Sequence, residues 1–307
     1  MSRRSQLALG LLLGTALDAV VPDPRRGHPV AAFGSTAGAL ERRVWADSRA
    51  RGALFTALSV GGTVLTGRAV ERRSGSARMV VVAVATWAVL GSRSLRAEAS
   101  AVGELLEAGD LPGARRRVTH LVGRDPETLD ADGVARAAVE SVAENTCDAV
   151  VAPLFWGALA GVPGLVGYRA ANTLDAMVGH RSARYAQFGW AAARLDDVAN
   201  IVPARVTAAL AAAVAPAVGG DPLAAVRTAL RDGRKHPSPN SGVSEAAFAG
   251  ALGLRLGGRT VCRGLVEERP VLGDGAAPTP TDIRRANRLN AAVTLAAAAV
   301  AALGARR

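Results

Sequence analysis

Three observations predict an all-α, multi-pass integral membrane protein. Half of the 307 residues are hydrophobic, mostly Ala, Val and Leu, while only 4% are aromatic. That composition suits helices packed closely through small residues better than a β-sandwich. Apolar segments recur along the chain, and the polar stretches between them carry helix start and stop signals.

The first apolar segment, residues 7–21, follows Arg3 and Arg4 in the manner of a signal peptide. No A-x-A site follows it and Asp18 interrupts it, so it is read as a retained first membrane helix. Residues 53–66, 79–91, 149–167, 206–218 and 289–303 complete the set. A bilayer core of about 30 Å needs roughly 20 helical residues, so most of these runs are short for a span. Residues 79–90 and 291–303 are apolar all round, which for a helix means burial in protein or lipid. Residues 149–167 contain Pro153 and Pro163 with Gly157, Gly161, Gly164 and Gly167. Two helices meeting near 161–164 are expected there instead of one straight span, with the polar motifs on either side brought to one face of the molecule. Arg68, Arg72, Arg73 and Arg78 crowd one connection, so arginine counts do not fix the topology.

Between these segments, residues 97–106 form an amphipathic helix, 109–113 a break, and 114–122 a resumed helix with Arg115, Arg116 and Arg117 on its polar side. Residues 124–130 make a connecting turn, and Asp132 caps a helix running through Ser141 and Asn145. Residues 264–280, with Pro270, Gly273, Gly275, Pro278 and Pro280, read as a loop before the last helix. With no internal repeat and no long linker, residues 1–307 are taken as a single membrane-embedded domain.

The formal charge is +11, yet Lys235 is the only lysine among 37 basic residues. The arginines are scattered without aromatic interleaving, which argues against nucleic acid as a partner. Cys147 and Cys262 have neither C-x-x-C spacing nor a His partner, which argues against a disulfide framework or a zinc site.

Polar clusters supply candidates for chemistry. Glu140, Glu144 and Asp148 recur every four residues, so one helix face carries three carboxylates that call for Mg²⁺ or an arginine. Asn172 and Asp175 share a helix face, followed by His180 and Arg181. Asp196, Asp197 and Asn200 form D-D-x-x-N, with Arg194 and Arg205 able to neutralise it. Arg234, Lys235 and His236 stand beside a turn containing Ser238 and Asn240, whose donors suit phosphate oxygens. His28 lies between two X-Pro turns near the start.

Taken together, D-P-R-x-x-H-P (residues 23–29), E-S-V-A-E-N-T-x-D (140–148), Y-R-A-x-N-T-L-D-x-M-V-G-H-R (168–181), F-G-W-A-A-A-R-L-D-D-V-x-N (188–200) and R-K-H-P-S-P-N-S-G (234–242) closely resemble the adenosylcobinamide-phosphate synthase family of cobalamin biosynthesis. The likeness runs from about Asp18 to Gly258. Cys147 and Ala149 stand where that family usually has Ser and Gly, and Val243-Ser244 where it usually has Trp-Pro, which affects local pocket shape.

The resemblance implies a cell-membrane enzyme that joins adenosylcobyric acid to (R)-1-aminopropan-2-ol phosphate, or the free amino alcohol, through an amide bond, using ATP and Mg²⁺ at a cytoplasm-facing site. The corrinoid is then a substrate, with membrane lipid and other enzymes of the pathway as partners. On this reading Glu140, Glu144, Asp148, Asp175, Asp196, Asp197 and His236 are the catalytic candidates, and Glu144, Asp148, Asp196 and Asp197 the metal ligands. His28, Asn145, Asn172, Arg181, Arg194, Arg205, Arg234, Lys235, Ser238 and Asn240 are the binding candidates. Two other readings are a membrane prenyl or phosphatidyl transferase using the Asp-rich motifs, and a non-catalytic regulatory protein on the same scaffold.

Overall fold

A computed structural model describes residues 1–24, 27–123, 126–180, 182–262 and 265–306. The chain is almost wholly helical and divides into two compact units, each assembled from separate stretches of sequence. Because the stretches interleave, no linker in the sequence marks the boundary.

The first unit comprises Met1–Gly91, Asp148–Asn200 and Ala297–Arg307. It contains α1 (Arg3–Val20), α2 (Pro29–Val44), α3 (Arg49–Arg73), α4 (Arg78–Val89), α8 (Ala152–Ala160), α9 (Val162–Leu174) and the start of α10 (Trp190–Val214). Helix α1 packs along α4. A Cβ at Gly10 would lie 2.6 Å from Val82 Cβ, and one at Gly14 2.4 Å from Thr86 Cβ, so glycine is what lets the two backbones approach. Phe55 and Phe188, their ring centroids 5.2 Å apart, join Leu174 and Val178 in a buried cluster.

The expected break in residues 149–167 is present. Helix α8 ends at Gly161, whose φ of 66° falls in the left-handed region that favours glycine, and α9 restarts at once with Pro163 in its first turn. Glu71 completes the corner, because its Oε2 accepts from the Val162 N–H at 3.0 Å. Glu71 also pairs with buried Arg78, whose charge is therefore spent inside the fold and carries no topological signal.

The second unit comprises Ser92–Cys147 and Ile201–Ala296. It holds α5 (Ser92–Glu107), α6 (Leu111–Val118), α7 (Ala131–Thr146), the rest of α10, α11 (Pro222–Asp232), α12 (Ser241–Leu252) and most of α13 (Pro280–Gly304). A break between α5 and α6 is present but shorter than the expected 109–113: Asp110 caps α6, and Pro112 and Gly113 lie in its first turn. The cap of α7 is two residues earlier than expected: Asp130 accepts from the Gly133 N–H at 2.8 Å, so Asp132 lies inside the first turn. The expected loop over 264–280 is corrected more substantially. Strands β1 (Leu256–Cys262) and β2 (Leu265–Leu272) form an antiparallel hairpin there, and only the tail beyond Leu272 is irregular.

Among the described residues, four helical stretches are long and apolar enough to cross a membrane: Arg49–Arg73, Gly75–Glu107, Trp190–Val218 and Pro280–Gly304. They exceed the apolar runs in the sequence because their arginine-bearing ends remain helical. Helix α1 forms as expected; it is not among these four, and Thr15 and Asp18 are buried within the unit.

Candidate functional site

Two short π-helical segments, Cys147–Val151 and Asp175–Gly179, interrupt the helices of the polar motifs. Such wide turns are rare and frequently mark functional positions. The first begins just after Thr146, so Asp148 does not continue the face that carries Glu140 and Glu144. The expected row of three carboxylates is therefore divided among separate partners.

In the first unit, α9 presents Asn172 to two carboxylates. Its Nδ2 donates to Asp148 Oδ2 at 3.3 Å and to Asp196 Oδ1 at 3.2 Å, which brings residues from three motif segments within two hydrogen-bond lengths of one atom. Asn200, one turn beyond Asp196 on α10, donates to Asp196 Oδ2 at 3.1 Å and accepts from Tyr168 Oη at 2.9 Å. Arg169 approaches Asn172 Oδ1 at 3.4 Å and lies within electrostatic reach of Asp148. Asp197 turns elsewhere and pairs with exposed Arg194 at 3.2 Å. Asp148 and Asp196 therefore meet, while Asp197 does not join them. Among the described residues no group of three or more His, Cys, Asp or Glu side chains is arranged to hold a metal. The two carboxylates are nonetheless hard oxygen donors of the kind Mg²⁺ takes, with water completing its shell, and Asn172 faces them with its N–H groups and not its carbonyl.

His28 caps α2: its Nδ1 accepts from the Val30 N–H at 3.2 Å, and its Nε2 lies 3.5 Å from Asp23 Oδ1. Arg181 lies outside the described residues.

In the second unit, the loop between α11 and α12 is tied by its own hydroxyls. Ser238 Oγ accepts from the Asn240 and Ser241 N–H groups at 3.3 and 3.2 Å, and Ser241 Oγ donates to Glu144 Oε1 at 2.8 Å. Arg205 donates to Asn240 Oδ1 at 2.8 Å and so does not neutralise the Asp-rich motif. Lys235 pairs with Asp232 at 2.7 Å, which also holds Arg231 and accepts from the Gly273 N–H at 2.9 Å. Of the loop's two expected phosphate-binding cations, Lys235 therefore has an internal partner, while Arg234 is exposed.

Glu140, only 2% exposed, accepts from the Gly257 N–H at 2.7 Å and so ties α7 to the hairpin. Asn145 turns back onto Ser141, donating to its carbonyl at 3.0 Å. His236 Nδ1 accepts from the Ser238 N–H at 3.1 Å, which puts the neutral ring's proton on Nε2, 4.0 Å from buried Glu245. Burial pushes the His236 pKa down, aided by Arg269 and opposed by Glu144 and Glu140, so the ring is neutral at pH 7.

Arg169, Ser241 and Glu245 escaped the sequence reading. Arg169 and Ser241 stood inside quoted motifs, whereas Glu245 had no signal beyond its place one turn into α12.

The CobD/Cbib protein family matches residues 11–290. The chain is 52% identical over 297 residues to the cobalamin biosynthesis protein CobD of Mycobacterium tuberculosis, covering 96% of this chain and 95% of that protein. It is 43% identical over 290 residues to CobD of Rhodobacter capsulatus, covering 91% of each, and 45% identical over 276 residues to CobD of Geobacter metallireducens, covering 87% of each. No solved structure matches. With the motif residues gathered as described and likeness over nearly its whole length, the chain belongs to the CobD/Cbib family.

Proposed function

We propose that this protein is the ATP-dependent ligase that joins adenosylcobyric acid to (R)-1-aminopropan-2-ol phosphate, or to the free amino alcohol, to give the cobinamide. Family membership makes it an enzyme of cobalamin biosynthesis acting on small corrinoid substrates. The observation that carries the finer reading is the meeting of Asp148 and Asp196 at the Asn172 amide.

A carboxylate is a poor acyl donor. In the proposed reaction its oxygen attacks the γ-phosphorus of ATP and ADP leaves; the amine then attacks the acyl carbon, and the C–O bond breaks to release phosphate. Asp148 and Asp196 are the residues that would hold Mg²⁺, with Asn172 and the Tyr168–Asn200 pair fixing their orientation. When bound, the ion neutralises charge on the transferring phosphate. Arg205, Arg234 and the Ser238–Asn240 turn are assigned to phosphate oxygens. The attacking ammonium must first lose a proton. His236 is poorly suited to take it, because its basic lone pair already accepts from Ser238, so a carboxylate such as Glu144 is the better base. ATP is a cytoplasmic nucleotide, and the site is read as facing that side.

The transferase reading leaves the Arg-Lys-His-Pro-Ser-Pro-Asn run at 234–240 without a role, which argues against it. The test supplies purified protein in detergent with ATP, Mg²⁺, adenosylcobyric acid and aminopropanol phosphate. ADP release that requires both organic substrates, with formation of the amide, is expected. ADP release without amide formation, or none at all, overturns the proposal.

A further inference from the structure

The first unit contains a cavity of about 850 Å³ between α2, α3, α4 and α9, a volume ordinary for a ligand pocket. Its wall offers little free polarity. Thr36, Thr63 and Thr66 line it, yet each hydroxyl donates to a carbonyl of its own helix, at 2.9, 2.8 and 2.8 Å respectively, and the Ser59 hydroxyl is the one lining hydroxyl buried without a hydrogen-bond partner. A corrinoid studded with carboxamides would lose its hydrogen bonds to water there and regain few.

A smaller recess of about 180 Å³ shares Phe33, Ala85 and Val166 with the cavity and is lined in addition by Arg169 and Thr173. The Thr173 hydroxyl donates to the Arg169 carbonyl, which leaves the guanidinium as the polar group of this end. Arg169 Nε is buried without a hydrogen-bond partner, and the contact of Nη1 with Asn172 is long, at 3.4 Å. On the other side, cavity-lining Leu58 and Val70 of α3 and Val80 and Val84 of α4 are 47–56% exposed. Both helices belong to stretches of membrane-spanning length, so this rim faces lipid if they span. An apolar chamber open at an apolar rim, with a guanidinium at its end whose Nε is unpartnered although Asp148 and Asp23 lie within its electrostatic reach, matches an amphiphile with a single anionic head.

We propose that this cavity holds an acyl chain of an anionic membrane phospholipid whose phosphate is received by Arg169. Arg169 also borders the proposed cation site through Asn172 and Asp148, so the proposal is tested without an activity readout. Protein purified in detergent and stripped of lipid is titrated with phosphatidylglycerol, with phosphatidylcholine of the same acyl chains, and with inorganic phosphate, reading thermal melting and bound lipid by native mass spectrometry. Half-saturation is expected at a concentration at least about tenfold lower for phosphatidylglycerol than for phosphatidylcholine, with no shift from phosphate.

A Cβ at Gly62 meets nothing within 4 Å, so Gly62→Phe and the milder Gly62→Leu fill the cavity without a clash at the backbone, and both should abolish the shift. Gly61→Phe, at a position that does not line the cavity, should retain it. Arg169→Gln should remove the preference for phosphatidylglycerol. Equal response to the two lipids overturns the proposal, as does retained binding in both Gly62 variants. A shift from inorganic phosphate alone also overturns it and reassigns Arg169 to a soluble phosphate.

Discussion

Asp232 and the pair Asp148–Asp196 show two ways of holding a carboxylate in one chain. Asp232 is 1% exposed and held by charge: Arg231 and Lys235 both reach it, and the Gly273 N–H adds a third bond. Asp148 and Asp196 are partly buried and accept hydrogen bonds from amides, those of Asn172 and Asn200. Ion pairs tie Asp232 to its own loop, whereas the amides of Asn172 and Asn200 fix where Asp148 and Asp196 point, with Arg169 also within electrostatic reach of Asp148. The contrast separates a carboxylate that braces a loop from the pair to which the proposed divalent cation is assigned.

The largest effect that would sharpen this contrast is on turnover. Asp148→Asn and Asp196→Asn should each lower kcat for amide formation by about 100-fold or more, the scale of losing a charge-stabilising group. Asp232→Asn should leave kcat within a small factor of the parent. Equal losses in all three variants would erase the distinction. Next in size, Asn172→Leu removes the amide that positions both carboxylates, and should raise the Mg²⁺ concentration for half-maximal activity by about 10- to 100-fold, as for other groups that orient metal ligands. Steady-state kinetics across a Mg²⁺ series checks this, and an unchanged midpoint would show that Asn172 only packs.

The helices and the corner at Gly161 were legible in the sequence because their causes are local: apolar runs, proline at a first turn, and a glycine where φ must be positive. The π-helical segments were not legible, since the choice between α and wider turns at Cys147 depends on where Asp148 finds Asn172, 24 residues away. The hairpin over 256–272 was hidden by its own composition: Gly257 and Gly258 are poor strand formers in its first strand, and Pro270 in its second reads, with the glycines and prolines after it, as loop. At the site, the motifs named most of the residues and not their pairing. The Lys235–Asp232 pair escaped the sequence reading although its i, i+3 spacing is local, because that reading assigns the loop's donors to phosphate; that Ser241 would take Glu144, across 97 residues, had no local sign.

Stability against pH gives a smaller effect. The Arg231 guanidinium, with help from Lys235 and the Gly273 N–H and against the opposing influence of burial, holds Asp232 well below the usual carboxylate range. The unfolded chain therefore takes up the proton first as pH falls. The stabilisation is fully present above the ordinary value of about 4 and is lost as pH drops through the depressed folded value. Asp232→Asn should lower Tm by a few degrees at pH 7, with the gap from the parent closing below about pH 4. A gap that stays constant with pH would show that the charge is not what stabilises the loop.

Smallest is Lys235→Ala. Because this side chain is half exposed and engaged with Asp232, its removal should raise KM for the phosphorylated amino alcohol by no more than about fivefold, the range of a screened surface pair. A larger rise in KM would return Lys235 to direct phosphate contact.

The central claim is that Asp148 and Asp196 hold the divalent cation. Binding of Mn²⁺ in place of Mg²⁺, measured by electron paramagnetic resonance on protein in detergent with ATP present, tests it most directly. The account predicts a protein-dependent site that is lost in Asp196→Asn and retained in Asp232→Asn. Mn²⁺ affinity in Asp148→Asn and Asp196→Asn equal to that of the parent would contradict it.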